Sequence, residues 1–261
     1  MGAIDSIFGD TIERNKENTG LKILAVEASG PVAGCALWEN GTLTAEYSVQ
    51  YKKKHSQSLV PMLSEMREMV DLDLKSIDMI AVTAGPGSFT GLRIGAATVK
   101  GLGLALEKPV LPVPTVDSLA CNLFGTDRVI CPFMDARRQQ VYTGIYENRD
   151  GLIVLRPQCV TAFTEIADEL NRLGREVIFL GDGVPVNEAL MRECMQVPYL
   201  IAPAHMNRQR AASTAVRAAQ IYAEMGDAAL VSSDDFRPEY LRVPQAERER
   251  GDKRNYKVFV E

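Results

Sequence analysis

The chain has 261 residues, of which 46% are hydrophobic and 24% charged, the balance of an ordinary soluble globular protein. That length fits one large domain or two lobes of roughly 100 to 130 residues, each able to bury a core. A net charge of −5 excludes a global basic field for nucleic acid, so an RNA partner would take most of its phosphate contacts from another chain.

Cys35, Cys121, Cys131, Cys159 and Cys194 are odd in number, widely spaced and form no CxxC pair. The pattern argues against a disulfide framework or a structural zinc site and suits a reducing, cytoplasmic setting. No apolar run reaches the roughly 20 residues of a membrane span. The extension 1–20 carries Asp5, Asp10, Glu13, Arg14, Lys16 and Glu17 without an apolar stretch, so it does not read as a secretory signal. Ile4, Ile7, Phe8, Thr11 and Ile12 fit one face of a short helix, and a loosely ordered or vector-derived extension fits at least as well.

Regular structure is expected from Leu21. Leu21 to Ala28 is a short apolar run that reads as a buried strand, followed by a second at Val32 to Trp38. Asn40-Gly41 then turns the chain into a third, Thr42 to Tyr51. Leu59, Met62, Leu63, Met66, Met69 and Val70 recur at helical spacing, with Ser56 or Ser58 as cap and Pro61 in the first turn. A strand at Ile77 to Ala84, a helix at Ser88 to Leu106 and a strand at Lys108 to Val113 complete β-β-β-α-β-α-β. That order is the ribonuclease H-like core, which actin and hexokinase carry twice.

The second half reads as a weaker copy. It has a helix at Val116 to Phe124, then strands at Arg128 to Met134, Gln140 to Tyr146 and Leu152 to Arg156. Helices at Phe163 to Leu173, Asn187 to Met195 and Ala211 to Met225 flank a strand at Val177 to Leu180. The expected fold is therefore α/β and two-lobed, actin/hexokinase-like (ASKHA), with mixed sheets and a degenerate second lobe. The expected boundary lies at Pro112 to Pro114, giving lobes at 21–112 and 113–242 and a charged tail at 243–261.

The run Gly85-Pro86-Gly87-Ser88-Phe89-Thr90-Gly91-Leu92-Arg93-Ile94-Gly95 joins a strand to a helix. One reading is an anion cradle of bare amides at a helix N-terminus. The other is a tight packing turn capped by Ser88 or Thr90, with Gly91 and Gly95 bringing the helix close to its neighbours. It is neither a Walker A loop nor a first-unit GxGxxG. The packing turn is favoured, because nothing nearby completes a nucleotide site. His55 lacks a second ligand one turn on, where Leu59 stands, so a hydrogen-bonding role is expected. Glu27 closes the first strand where actin-like ATPases orient a magnesium-bound water. The matching turn in the second lobe, Asp135-Ala136-Arg137-Arg138, has arginines where a phosphate turn needs glycine. Gly181-Asp182-Gly183 only faintly resembles an adenosine-binding loop. The first-lobe helices carry Met62, Met66 and Met69 on one and Gly95, Ala96, Ala97, Gly101, Gly103 and Ala105 on the other. Both sheet packing and a subunit interface remain open for them.

The stretches LKILAVEAS, HSQSLVPML, GPGSFTGLRIG, PVPTVDSLA and MDARRQQVYTGIY together resemble the TsaB (YeaZ) family, over Leu21 to Arg242. The resemblance implies a non-catalytic scaffold subunit for making threonylcarbamoyladenosine next to the tRNA anticodon, with no cofactor or metal of its own. TsaD, the catalytic relative, would form a heterodimer with it through first-lobe helices. The ATPase TsaE would join them, TsaC would supply the threonylcarbamoyl-adenylate, and tRNA would be reached through the complex. A homodimer through the same face is also implied. The implied interface is Leu59, Met62, Leu63, Met66, Met69, Ala96, Val99 and Lys100, so Met66→Asp or bulk at Ala96 is expected to weaken pairing with TsaD and leave the fold intact. Glu27 stands where the family usually has aspartate. A metallo-endopeptidase would need a second ligand near His55, and a phosphotransferase would need Gly-rich turns in both lobes.

Overall fold

The computed structural model describes residues 20–51 and 55–242. The helical face expected in the extension and the charged tail 243–261 lie outside them. The chain opens with a meander of β1 (Lys22–Glu27), β2 (Ala33–Glu39) and β3 (Thr42–Val49), antiparallel throughout. Asn40 and Gly41 both take positive φ between β2 and β3, as a tight hairpin turn requires. Helix α1 (His55–Met69) places Pro61 in its second turn, one turn later than its sequence position implied. The missing Pro61 amide leaves the Gln57 carbonyl without its helical partner, and Gln57 is exposed, so water can replace it.

Next come β4 (Met79–Gly85), α2 (Phe89–Leu106), β5 (Val110–Pro114) and α3 (Thr115–Ala120). The second half repeats the plan with β6 (Thr126–Asp135), β7 (Gln140–Asn148), β8 (Leu152–Ala162), α4 (Phe163–Leu173), β9 (Val177–Leu180), α5 (Val184–Cys194), β10 (Tyr199–Ile201) and α6 (Ala211–Met225). The two sheets run β3-β2-β1-β4-β5 and β10-β9-β6-β7-β8. Counted from the first strand of each half, both orders are the same, an antiparallel meander extended by two parallel strands. This duplication is the two-lobed, actin/hexokinase-like architecture.

Each sheet is covered on both faces. α1 and α2 bury Leu59, Met62, Met66 and Val99 against Leu24, Val26, Ile80 and Val82. On the opposite face α6 sets Ala211, Ala215 and Ala218 against Ile23, Trp38 and Leu111, small residues that let it lie close to the strands. In the second sheet α4 and α5 cover one face with Phe163, Ile166, Leu170 and Met191. α3 covers the other with Val116, Leu119 and Ala120.

The last helix of each half thus packs on the sheet of the other half. The linear boundary at Pro112 to Pro114 fails for this reason. β5 extends to Pro114 inside the first sheet, α3 serves the second lobe, and α6 returns to the first. The chain beyond α6 stays with the first lobe, where Val231 bridges Val110 and Phe236 enters the core. Between the crossing helices Ser118 and Thr214 share a 2.9 Å hydroxyl bond. Nearby, Asp117 accepts from Tyr146 at 2.9 Å and from Arg217 at 3.4 Å. Burial raises the Asp117 carboxyl above its ordinary range, against those hydrogen bonds and the Arg217 charge.

Candidate functional site

The junction between β4 and α2 forms one wall of a cleft between the lobes. Ser88 caps α2, its hydroxyl accepting from the Gly91 amide at 3.3 Å. The glycines mark where backbones touch. A Cβ at Gly87 would lie 2.3 Å from the Ser29 carbonyl oxygen, and one at Gly91 2.0 Å from that of Ala28. At Gly85, φ is +128° and a Cβ would sit 2.1 Å from the Glu239 oxygen. The Ser88 amide donates to Ser29 O at 2.7 Å, and the Gly85 amide to Thr115 Oγ1 at 3.2 Å. Pro86 is buried and Thr90 exposed. Two of the amides that a phosphate cradle would use are thus spent inside the fold. The junction packs closely against the chain around it.

The facing wall is the β6–β7 turn. Arg137, Arg138 and Gln139 follow one another at φ 64°, 57° and 60°, a left-handed run that costs about 1–2 kcal/mol per non-glycine residue. Asp135 holds the turn by accepting from the Arg137 amide at 2.8 Å, with the Arg137 guanidinium 3.2 Å from its other oxygen. A strap formed by the chain after α6 crosses between the walls. Lys100 donates to the carbonyls of Asp234 and Phe236, at 2.8 and 3.1 Å. The Glu239 amide donates to Ala84 O at 2.7 Å. The Tyr240 ring then packs 5.3 Å from that of Phe89, which also carries the Arg93 guanidinium at 3.9 Å. Arg242 reaches the second lobe and donates to Ala136 O at 2.5 Å. What is left is a cleft of about 530 Å³ bounded by Gly30, Gly87, Thr90, Arg137, Arg138 and Asp182. Burial raises the Asp182 carboxyl above its ordinary range.

Glu27 is only partly ionised at neutral pH and lies inside the fold. It is fully buried, and its Oε1 accepts from the Ser29 amide at 2.6 Å and the Ser29 hydroxyl at 2.5 Å. Burial dominates these bonds and lifts its pKa from 4.5 to about 7. A carboxyl that is half protonated at neutral pH is a poor anchor for hydrated magnesium. Because the folded value lies above the unfolded one, the stability from this group is fully present below pH 4.5 and falls as pH rises to about 7. The integrated loss is about 3 kcal/mol. Glu27→Gln, which keeps an acceptor for Ser29, is expected to raise the melting temperature at pH 8 while changing it little at pH 4.5. Equal shifts at both pH values would refute the buried, neutral carboxyl.

His55 Nε2 lies 2.8 Å from Gly30 O, the hydrogen-bonding role its sequence context implied. Leu59, one turn on, is buried in the first-lobe core. Among the described residues no group of three or more His, Cys, Asp or Glu is placed to hold a metal ion. No described helix is long and apolar enough to cross a membrane.

The expected partner surface needs correction. Leu59, Met62, Met66, Ala96 and Val99 are buried against the first sheet, so they cannot meet another protein. Lys100 is half-buried and anchors the strap, Leu63 is half-buried, and Met69 is exposed. The solvent-facing side of the helix pair carries Val60 and Met69 on α1, with Ala97, Gly101 and Leu104 on α2. Val60, Met69 and Leu104 are 59%, 69% and 66% exposed. Sequence spacing missed Val60 and Leu104 because the partner surface was sought on the main apolar stripe of α1, which covers the sheet, while Val60 stands among polar residues on its outer side. The signal in the sequence was the i, i+4, i+7 row of Ala97, Gly101 and Leu104.

The family model described as TsaD, tRNA N6-adenosine threonylcarbamoyltransferase, matches residues 45–249. The Bacillus subtilis (strain 168) tRNA threonylcarbamoyladenosine biosynthesis protein TsaB is 31% identical over 228 residues, 87% of this chain and 96% of that one. Its Escherichia coli (strain K12) namesake is 30% identical over 174 residues, 62% and 72% of the two chains. Among solved structures, YeaZ from Pseudomonas aeruginosa superposes with a TM-score of 0.70 at 24% identity, covering 85% of this chain and 100% of its own. A second from that organism, described as an uncharacterized protein with similarity to peptidase YEAZ, gives 0.71 at 24%. At that identity the two structures speak to the fold.

Proposed function

The chain belongs to the TsaB (YeaZ) family of tRNA threonylcarbamoyladenosine biosynthesis proteins, and we propose that it acts there as a non-catalytic subunit holding the TsaD transferase in its working form. The observation that carries the non-catalytic reading is the fate of the two phosphate turns. In the first lobe the glycines of the turn lie against Ala28, Ser29 and Glu239, and the Gly85 and Ser88 amides are bonded to Thr115 and Ser29. In the second, Arg137 and Arg138 fill the place of glycine, and the strap ties down the backbone beside them. Glu27, buried and near-neutral, completes the loss. A phosphotransferase would have to grip its nucleotide with one turn partly spent on packing and another filled by arginines. An endopeptidase built on His55 has no second ligand, since Leu59 faces the core.

Pairing with TsaD falls to the outer face of α1 and α2. Val60, Met69 and Leu104 supply apolar area, while Ala97 and Gly101 allow close helix approach. TsaE joins through the pair, and tRNA is bound mainly by the partner, in keeping with a net charge of −5. A homodimer through this face would compete with TsaD. Reconstitution tests the proposal: this chain with TsaD, TsaC, TsaE, tRNA, threonine, bicarbonate and ATP, with modified adenosine read by mass spectrometry. Product formed equally well without the chain would defeat the scaffold role. Gly101→Arg tests the face itself. A Cβ at Gly101 meets no neighbouring atom of the described residues within 4 Å, so the monomer should unfold at an unchanged or slightly higher temperature. Affinity for TsaD should fall by about tenfold or more, and unchanged affinity by calorimetry would place the interface elsewhere.

A further inference from the structure

The second lobe carries its positive charge on arginines, since no lysine stands between Val113 and Arg242. Among the described residues of that stretch, every arginine but Arg138 has an acceptor. Arg128, Arg149, Arg156, Arg175 and Arg192 face carboxylates, while Arg208, Arg237 and Arg242 donate to backbone carbonyls. Arg138 is exposed on the wall of the cleft with no such partner.

The turn that carries it is strained, with Arg137, Arg138 and Gln139 all at positive φ. Such a run persists only where its surroundings fix it. Asp135 does so from β6, and Arg242 from the strap through Ala136 O. Arg137 stands beside Arg138 with its side chain 86% exposed, in an ion pair with Asp135 that such exposure weakens. The same cleft is lined by Phe89 and Tyr240, half-buried, with ring centroids 5.3 Å apart. Free guanidinium groups beside aromatic rings suit single-stranded nucleic acid, which sets phosphate on the cations and a base against a ring. We infer that Arg137 and Arg138 contact the ribose-phosphate backbone of RNA at this cleft. A carboxylate from another protein would also suit Arg138, but it gives the rings nothing to do. The inference rests on the proposed place of this chain in a tRNA-modifying complex, and it adds a direct contact to those of the partner. The net charge of −5 confines that contact to a local feature of the turn.

Anisotropy of labelled tRNA, titrated with the full chain and TsaD over a range of salt, tests the contact. Pairing of the two proteins is followed in the same samples by sedimentation velocity. Arg138→Gln is expected to weaken tRNA binding about threefold to tenfold at low salt and to flatten the log–log salt slope by about 0.7–0.9, the value of a single phosphate. Pairing with TsaD and the melting temperature should stay as they are. Arg149→Gln removes the same charge just beyond the far end of β7, where it faces Asp127, and should change neither affinity nor slope. An unaltered slope for Arg138→Gln, or an equal loss for Arg149→Gln, would overturn the contact. So would weaker pairing with TsaD at unchanged tRNA affinity, which gives the turn to a carboxylate of that protein. Absence of pairing by the unmodified chain would defeat the proposed function, and this inference with it.

Discussion

Met66→Asp is expected to destabilise the first lobe by more than about 4 kcal/mol, and so to unfold much of the protein. Met66 is fully buried, with its sulfur 3.8 Å from the Cys35 sulfur and its neighbours drawn from α1, α2 and the face of the first sheet. The residues of that cluster are apolar and offer a carboxylate no charge partner. The aspartate must therefore take up a proton, at a free-energy cost, or force the helix away from the sheet. Urea unfolding monitored by circular dichroism measures the loss. Gly101→Arg is the companion measurement, because it alters the outer face of the neighbouring helix without touching the core. The two variants separate folding from pairing: the first should lose both, the second only the partner. If Met66→Asp unfolds at the midpoint of the unmodified protein and yet fails to bind TsaD, α1 is turned differently from the arrangement described here.

That reversal shows where sequence reasoning was strong and where it stopped. Strand and helix identities were legible because buried strands such as β1 and β4 are short apolar runs and α4 and α6 have clear helical periods. α4, β9 and α6 begin and end at the expected residues. β10 left no signal, being three residues long and half-buried or exposed. β8 continues beyond the expected end at Arg156 to Ala162 because an edge strand tolerates Pro157. The crossing of α3 and α6 between lobes could not be read locally, since each is only an apolar stripe until the sheet it meets is known. The orientation of α1 and α2 failed for a related reason. An apolar stripe does not declare whether it meets its own sheet or a partner, and that of α1, Leu59, Met62 and Met66, covers the sheet. The strap was also hidden, because its bonds at Lys100, Glu239 and Arg242 use backbone carbonyls and amides that no motif records. The degenerate turn was legible, since Arg137 and Arg138 stand in the sequence where glycines would have to be.

Gly91→Ala should cost about 3 kcal/mol or more, a large effect for one added methyl group. Its Cβ would fall 2.0 Å from the Ala28 carbonyl oxygen, more than an ångström inside contact distance. Neither side can yield cheaply. Ala28 directly follows β1, the central strand of the first sheet, and the Ser88 amide is held to Ser29 O next to it. Relief requires α2 to move outward as a body, which loosens Leu92, Ala96 and Val99 from the core. The same substitution at Gly101 should stabilise by about 0.5–1 kcal/mol, because open space surrounds that position and alanine is the better helix former. The two variants lie on one helix and carry the same chemical change, so opposite signs in urea unfolding would isolate backbone proximity as the cause. A stable Gly91→Ala protein would mean that the junction has room at its centre, and the case for a phosphate turn converted to packing would fail with it.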